Sequence, residues 1–398
     1  MSRFFIFIAV ALGLLAGIHY YLWARLIRDP QLPPPWGGVL TLMLALLAMG
    51  TPTAMVLGRV VGRDRPGVQS ALLWPAYLWL GTMFLLFAAV FAADAARAFV
   101  AVARRIAGAG NIDVGRRTFI ARLSATAIAV LVGGLGGAAV RSALSLVDVR
   151  RVRVRLDRLP IGQHGFTMVQ LTDVHVGPTI GRAFIDDIVR RTNALQPDLI
   201  AITGDLVDGS VEQLRDAVAP LANLRARHGV YFVTGNHEYF SGAEAWLNEL
   251  GRLGVRVLRN ERVSIGEGET SFDLGGIDDH SAARYGGLEP AAAISQALSG
   301  RDTRRELVLL AHQPRSLLEA ARFGVGLQLS GHTHGGQIWP FKYFVRLQQP
   351  FVAGLHRHGE AQIYVSRGTG YWGPPMRLGA PAEITHVTLE SGAAEVVV

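Results

Sequence analysis

The sequence predicts a chain in two parts: N-terminal transmembrane α-helices, about four of them, followed by an α/β domain. Three observations predict it. Apolar stretches of bilayer length cluster in residues 1–147. From residue 148 onward, short apolar runs alternate with helical stretches at 182–194, 212–226 and 243–253, the pattern of strands and helices sharing one domain. Five of those short runs end in Asp, His or Asn, on the side where open α/β sheets gather their ligands.

The first span, residues 4–23, is apolar apart from His19; twenty residues at 1.5 Å rise match the thickness of a hydrocarbon core. The second, 39–61, contains Pro52, tolerated in a membrane helix, and ends in an arginine cluster of Arg59, Arg63 and Arg65. The third, 71–93, carries Trp74, Tyr77 and Trp79 near one end in the manner of an interfacial belt, and Asp94 and Arg97 close it. The fourth, 123–140, holds a Gly133–Gly137 cluster that permits close helix contact.

Charge follows the same division. The chain carries a formal net charge of +8, with 39 basic and 31 acidic residues. Of these, 14 Arg and 5 acidic residues lie in the first 150 positions, leaving the remainder close to neutral. A basic excess confined to the apolar part belongs to loops flanking membrane helices, and no nucleic-acid partner is expected. Cysteine is absent, which excludes disulfides and thiolate metal sites. The loop with Arg97, Arg104, Arg105, Arg116, Arg117 and Arg122 reads as cytoplasmic. Arg116-Arg117-Thr118-Phe119-Ile120 also resembles a twin-arginine export signal. Either way the expectation is a multi-pass protein of the bacterial inner membrane, with residues 148–398 outside the cytoplasm.

That second part opens on Arg151-Val-Arg-Val-Arg155-Leu, whose period of two is that of a half-exposed strand. The runs that follow deliver, in order, Asp173 and His175, then Asp205, then Asn236 and His237, then His312, and finally His332 and His334 in Gly-His-Thr-His-Gly-Gly-Gln337. All offer nitrogen or oxygen, which suits a divalent transition metal. Glu238 reads as a partner for a neighbouring backbone group or ligand. Asp278 and Asp279 read as a turn cap or a pocket wall, and Arg377 as a partner of Glu383 or a substrate contact. The segment Ile338-Trp-Pro-Phe-Lys-Tyr-Phe344 has no clear period, so it is either a core edge or a loop lying on the membrane beside the site.

The ordered set Asp-x-His, Gly-Asp, Gly-Asn-His-Glu, His and Gly-His-x-His resembles the calcineurin-like metallophosphoesterase superfamily, over about residues 165–390. Gly-His-Thr-His-Gly-Gly-Gln and Tyr364-Val-Ser-Arg-Gly368 are similar to its bacterial membrane-associated phosphodiesterases. Ala311 stands where many members have Gly before the His. The resemblance implies a four-layer α/β/β/α sandwich and two divalent metal ions (Mn, Fe or Zn). Asp173, His175 and His334 would hold one, and Asn236, His312 and His332 the other. Asp205 would bridge them, and His237 would act as the acid rather than as a ligand. It further implies hydrolysis of a phosphodiester or pyrophosphate bond. Membrane attachment favours a lipid-linked substrate, with soluble nucleotides or phosphomonoesters, or a binding scaffold or sensor reusing the fold, as alternatives.

Overall fold

The structure, a computed structural model, describes residues 2–62, 65–108 and 113–392. Arg63 of the expected arginine cluster and the last six residues of the second part lie outside the described residues. The chain divides into two compact units, Met1–Arg141 with Pro374–Met376, and Ser142–Gly373 with Arg377–Val398.

Four helices build the first unit: α1 (Ser2–Trp23, continued by a π turn at Ala24–Arg28), α2 (Trp36–Val60), α3 (Pro66–Ile106) and α4 (Val114–Leu144). Each contains a stretch long and apolar enough to cross a membrane. All four start ahead of the expected bounds, α3 and α4 by the most. Helix α3 is 41 residues, about 60 Å at the α-helical rise, roughly twice a hydrocarbon core. Asp94 and Arg97 end its apolar run and not its helix, because the Ala-rich sequence beyond them consists largely of strong helix formers. The charges also satisfy one another: Asp94 accepts from Tyr21 Oη at 2.6 Å and Arg25 Nε at 2.8 Å, and pairs with Arg97. Helix α4 likewise begins nine residues before the expected 123, taking in Arg116 and Arg117. His19, buried on α1, accepts from Trp79 Nε1 of α3 at 3.0 Å, a polar link of the kind that joins membrane helices.

In the second unit β1 (Asp148–Leu156), β2 (Thr167–Leu171), β3 (Leu199–Thr203), β4 (Val230–Val233) and β5 (Arg256–Val257) precede β6 (Glu261–Ile265) and β7 (Phe272–Gly276). There follow β8 (Leu307–Leu310), β9 (Leu327–Ser330), β10 (Gly354–His358), β11 (Ala361–Val365) and β12 (Glu383–Ser391). They form two six-stranded sheets, in the orders β1-β12-β2-β3-β4-β5 and β10-β11-β9-β8-β7-β6. Strands β2 to β5 run parallel, as do β7, β8, β9 and β11, so their carboxyl ends line up.

Side-chain alternation assigns each strand face to a layer. Leu199 and Ala201 of β3 face the inter-sheet core with Met168, Leu274, Val308 and Leu327. Ile200 and Ile202 face the helices α5 (Arg182–Ala194), α6 (Val211–Val218) and α8 (Ala243–Arg252), meeting Ile185, Ile188, Trp246 and Leu250 of α5 and α8, while the short α7 (Asn236–Ser241) packs Tyr239 on Ala243 and Ala282. On the far side Leu307 and Leu309 pack with Ile294 and Leu298 of α9 (Pro290–Leu298). The result is a four-layer α/β/β/α sandwich, as expected. The segment after the His-x-His turn is a core edge at buried Ile338 alone. Trp339, Phe341, Tyr343, Phe344 and Leu347 are exposed.

Candidate metal centre

Both sheets send their carboxyl ends to one place. Asp173 and His175 follow β2, Asp205 follows β3, Asn236 and His237 follow β4, His312 follows β8, and His332 and His334 follow β9. Five of these residues, Asp173, His175, Asp205, His332 and His334, have φ between 50° and 69°. Asp, Asn and His tolerate that left-handed region better than other side chains, and such conformations concentrate at functional sites at a cost of about 1–3 kcal/mol each. Backbones also approach closely. A Cβ on Gly331 would fall 2.0 Å from Asp173 Oδ2, and one on Gly235 2.2 Å from Asp205 Oδ1.

The expected Asp and His ligands fall into two of three donor groups, the third being His175, Asp208 and His237. Asp173, His175 and His334 make one, with His175 Nε2 3.0 Å from His334 Nε2 and His334 Nε2 3.5 Å from Asp173 Oδ1. Asp205, His312 and His332 make the other, with His312 Nε2 3.1 Å from Asp205 Oδ2 and 3.1 Å from His332 Nδ1. Asp205 Oδ2 also lies 3.9 Å from His175 Nε2, so one carboxylate oxygen stands between the groups.

The set fits cations. Ring nitrogens 3 Å apart share either one proton or one cation, and the Nδ1 bonds of His312 and His175 turn their Nε2 lone pairs forward. His312 Nδ1 donates to Thr203 O at 2.8 Å and His175 Nδ1 to Asp208 Oδ1 at 3.1 Å, which frees both Nε2 atoms. Asn236 Oδ1 is buried with no hydrogen-bond partner among the described residues, as expected of a neutral oxygen reserved for a metal. Burial, helped by the neighbouring His312, pulls His332 down to about 4, so its imidazole is neutral. At Asp205 burial works to raise the pKa, but His312 and His237 outweigh it and keep the carboxylate ionised.

Comparisons with known proteins give the family of the chain. Residues 166–336 match the family model described as calcineurin-like phosphoesterase. An uncharacterized metallophosphoesterase of Aquifex aeolicus is 34% identical over 244 residues, covering 61% of this chain and 91% of that one. The chain is a metallophosphoesterase by family. A transmembrane protein with metallophosphoesterase domain from Bos taurus is 40% identical over 292 residues, 71% of this chain. The match spans 65% of the bovine protein's length. Among solved structures, a dimetal phosphatase from Danio rerio superposes with a TM-score of 0.34 at 14% identity, covering 52% of this chain and 88% of that one.

Around the donors, this metallophosphoesterase differs from the sequence reading at two points. Asp208 was not anticipated. Its Oδ1 accepts from His237 Nδ1 at 2.6 Å and from His175 Nδ1, tying the expected acid to a donor of the first group. The signal was Gly204-Asp-Leu-Val-Asp208, a second acid three residues beyond the first. Burial depresses His237, but the Asp205 and Asp208 carboxylates outweigh it and raise the ring to about 9.

Arg377 makes no ion pair with Glu383 among the described residues. Glu383 is taken by Arg367 Nη1 at 2.8 Å and Tyr364 Oη at 2.6 Å. Arg377 is 1% exposed and donates to the carbonyls of Arg367, Gly370, Ala380 and His334, with Nη2 3.2 Å from His334 Nδ1. A side chain so enclosed is a strut for the His-x-His turn.

Glu238 does what the sequence suggests, accepting from the backbone amides of Asp205, Leu206 and Gly235 at 3.0, 2.8 and 2.7 Å. Asp279 caps the turn His280–Tyr285 and Asp278 pairs with Arg259 at 3.2 Å. His228, His356, His358 and His386 join neither group of donors.

Proposed function

We propose that the protein is a membrane-anchored, dinuclear metal-dependent phosphoesterase that hydrolyses a phosphodiester or pyrophosphate bond, with a lipid-linked molecule as its substrate class. One observation carries the reading: two groups of buried N and O donors share the Asp205 carboxylate, with the orphaned Asn236 oxygen beside them. Asp173, His175 and His334 would hold one cation, Asn236, His312 and His332 the second, and Asp205 both. When bound, two divalent cations supply a water acidic enough to attack phosphorus at neutral pH and neutralise charge on the phosphoryl oxygens.

The chain's own residues supply the rest. His237 faces the donors through Nε2, 3.9 Å from Asp205 Oδ2, while Nδ1 is held by Asp208. An imidazole so fixed presents one N–H toward the reacting phosphoester and protonates the leaving oxygen. Trp372 and Phe240 lie against the His237 ring at centroid distances of 5.7 and 5.5 Å, forming an apolar rim that suits an acyl or prenyl substituent better than a hydrated sugar. Trp339, Tyr343 and Phe344, exposed on the loop whose Gln337 bonds the Trp372 backbone, extend apolar surface from that rim. The arginines at the ends of α1 and α3 and the start of α4 support a cytoplasmic face there, hence an extracytoplasmic catalytic unit.

Metal analysis of the full-length protein, paired with a screen of phosphodiester, monoester, nucleotide and lipid-pyrophosphate substrates, tests the reading. Two metals per chain and preference for the lipid pyrophosphate are expected. Absence of tightly bound metal and of hydrolysis would make the domain a binding scaffold, and a preference for soluble nucleotides would remove the lipid.

A further inference from the structure

The first unit contains a feature that phosphoester hydrolysis does not use. A cavity of about 680 Å³ opens where the ends of α1 and α3 meet the start of α4. Arg25 and Arg28 reach it from the π turn, Arg97 and Arg104 from the last turns of α3, and Arg117 from α4. Two carboxylates answer them. Asp29 pairs with Arg25 at 2.8 Å and Arg28 at 2.9 Å, and Asp94 with Arg25 at 2.8 Å and with Arg97. Arg104 aside, four guanidiniums face two carboxylates among the described residues.

Arginines that served only to orient helices across a membrane would spread apart in solvent, where like charges interact least. Here they converge on one recess, which leaves a positive surplus for an anion to neutralise. Guanidiniums match phosphate oxygens in a planar, two-pronged geometry. The lining also includes Val100, Ile120 and Ala121, apolar surface that a small inorganic ion would not need. A π turn contributes two of the arginines, and such departures from α-helical winding recur at functional sites.

We propose that this cavity binds a phosphate-bearing anion, with the headgroup of an anionic phospholipid on the arginines and its acyl chain along Val100 and Ile120. Basic pockets between membrane helices hold lipid phosphates in this way. The site is separate from the metal-binding residues, so its fate does not depend on the reaction proposed above.

The test uses the full-length protein, delipidated in neutral detergent and titrated with dioleoylphosphatidylglycerol, dioleoylphosphatidylcholine or inorganic phosphate. Native mass spectrometry and thermal unfolding read the binding. Phosphatidylglycerol is expected to bind saturably and to raise Tm, with phosphatidylcholine at least about tenfold weaker because its phosphate charge is cancelled by choline. The double variant Arg28→Gln with Arg117→Gln should bind phosphatidylglycerol about 25-fold more weakly, each arginine near an anionic lipid contributing roughly fivefold. Its turnover of bis(p-nitrophenyl) phosphate should be unchanged.

A second variant, Val100→Trp, fills the apolar part and keeps all five charges. It should weaken phosphatidylglycerol and leave inorganic phosphate unaffected. Arginine-dependent protection by inorganic phosphate that phosphatidylglycerol does not displace would support the anion site and assign it to a soluble source. Equal binding of the two lipids, or phosphatidylglycerol binding unchanged in both variants with no response to phosphate, would overturn the proposal.

Discussion

Asp208→Asn is the substitution that bears most directly on how this site works. The change conserves shape and removes one negative charge. Both bonds that Asp208 accepts end on the same oxygen, at 2.6 Å from His237 Nδ1 and 3.1 Å from His175 Nδ1. The amide oxygen of Asn still accepts both, so neither ring is orphaned. What is lost is charge assistance, about 1–1.5 kcal/mol per bond as the difference between charged and neutral hydrogen bonds. Two bonds give roughly 2–3 kcal/mol, or about 30- to 150-fold.

The loss should divide by partner. Weakening the support of His175 lowers metal affinity, and outer partners of metal ligands typically contribute 10- to 100-fold. Weakening the support of His237 lowers kcat for alkyl leaving groups more than for nitrophenolate, which departs without a proton. The assay is kcat/KM on an alkyl and a nitrophenyl phosphodiester at saturating Mn, with metal content measured in parallel. Combining the change with His237→Ala should give less than the product of the separate losses, since the two residues act as a unit. Activity within twofold of wild type on both substrates, with full metal content, would refute the role assigned to Asp208.

The remaining expectations are more direct. Asp205→Ala should abolish hydrolysis and lower occupancy of both metals, measured by inductively coupled plasma mass spectrometry; two retained metals and full rate would contradict a shared carboxylate. His237→Ala should keep its metals and lose about 10²–10⁴ in turnover on alkyl esters, less on nitrophenyl esters. Arg377→Met should leave the carbonyls of Arg367, Gly370 and Ala380 without their donor and lower stability by about 3–5 kcal/mol, at 1–3 kcal/mol per unsatisfied buried group with partial relaxation, seen as a fall in Tm with loss of metal. Glu269→Cys gives the chain its single thiol on an exposed turn; in cells with a leaky outer membrane it should react with an impermeant maleimide before the inner membrane is broken. Labelling only after lysis would put the catalytic unit in the cytoplasm.

The architecture was legible because burial follows period. Leu199, Ile200, Ala201 and Ile202 are all apolar because both faces of β3 are covered, and that produces an unbroken run. The donors were legible because each sits immediately past such a run. Helix ends were less so. Beyond Ala93 the apolar signal fades while the α3 backbone continues, and hydropathy reports the solvent around a helix rather than its length. Asp208 was missed because its partners, His175 and His237, are 33 and 29 residues away, and only the fold brings them together. Arg377 failed for a related reason. Glu383, six residues on, was the nearest acid in the sequence, yet Arg367 occupies it from the adjoining strand end.

The place of β12 has a consequence for how the protein is made. It lies between β1 and β2, so β1 joins its sheet solely through the last strand described. On the ribosome, β1 emerges more than two hundred residues ahead of the partner it requires, and pairings so distant in sequence close slowly. Until Glu383–Ser391 has cleared the exit tunnel, the first sheet is split and β2 lacks a neighbour on one side. A nascent chain interrupted at any point before β12 therefore remains open, a substrate for proteases and chaperones rather than a half-active enzyme. For a catalytic unit outside the cytoplasm, as proposed, the same delay keeps the domain threadable while it is being synthesised and favours passage through a pore for unfolded chains.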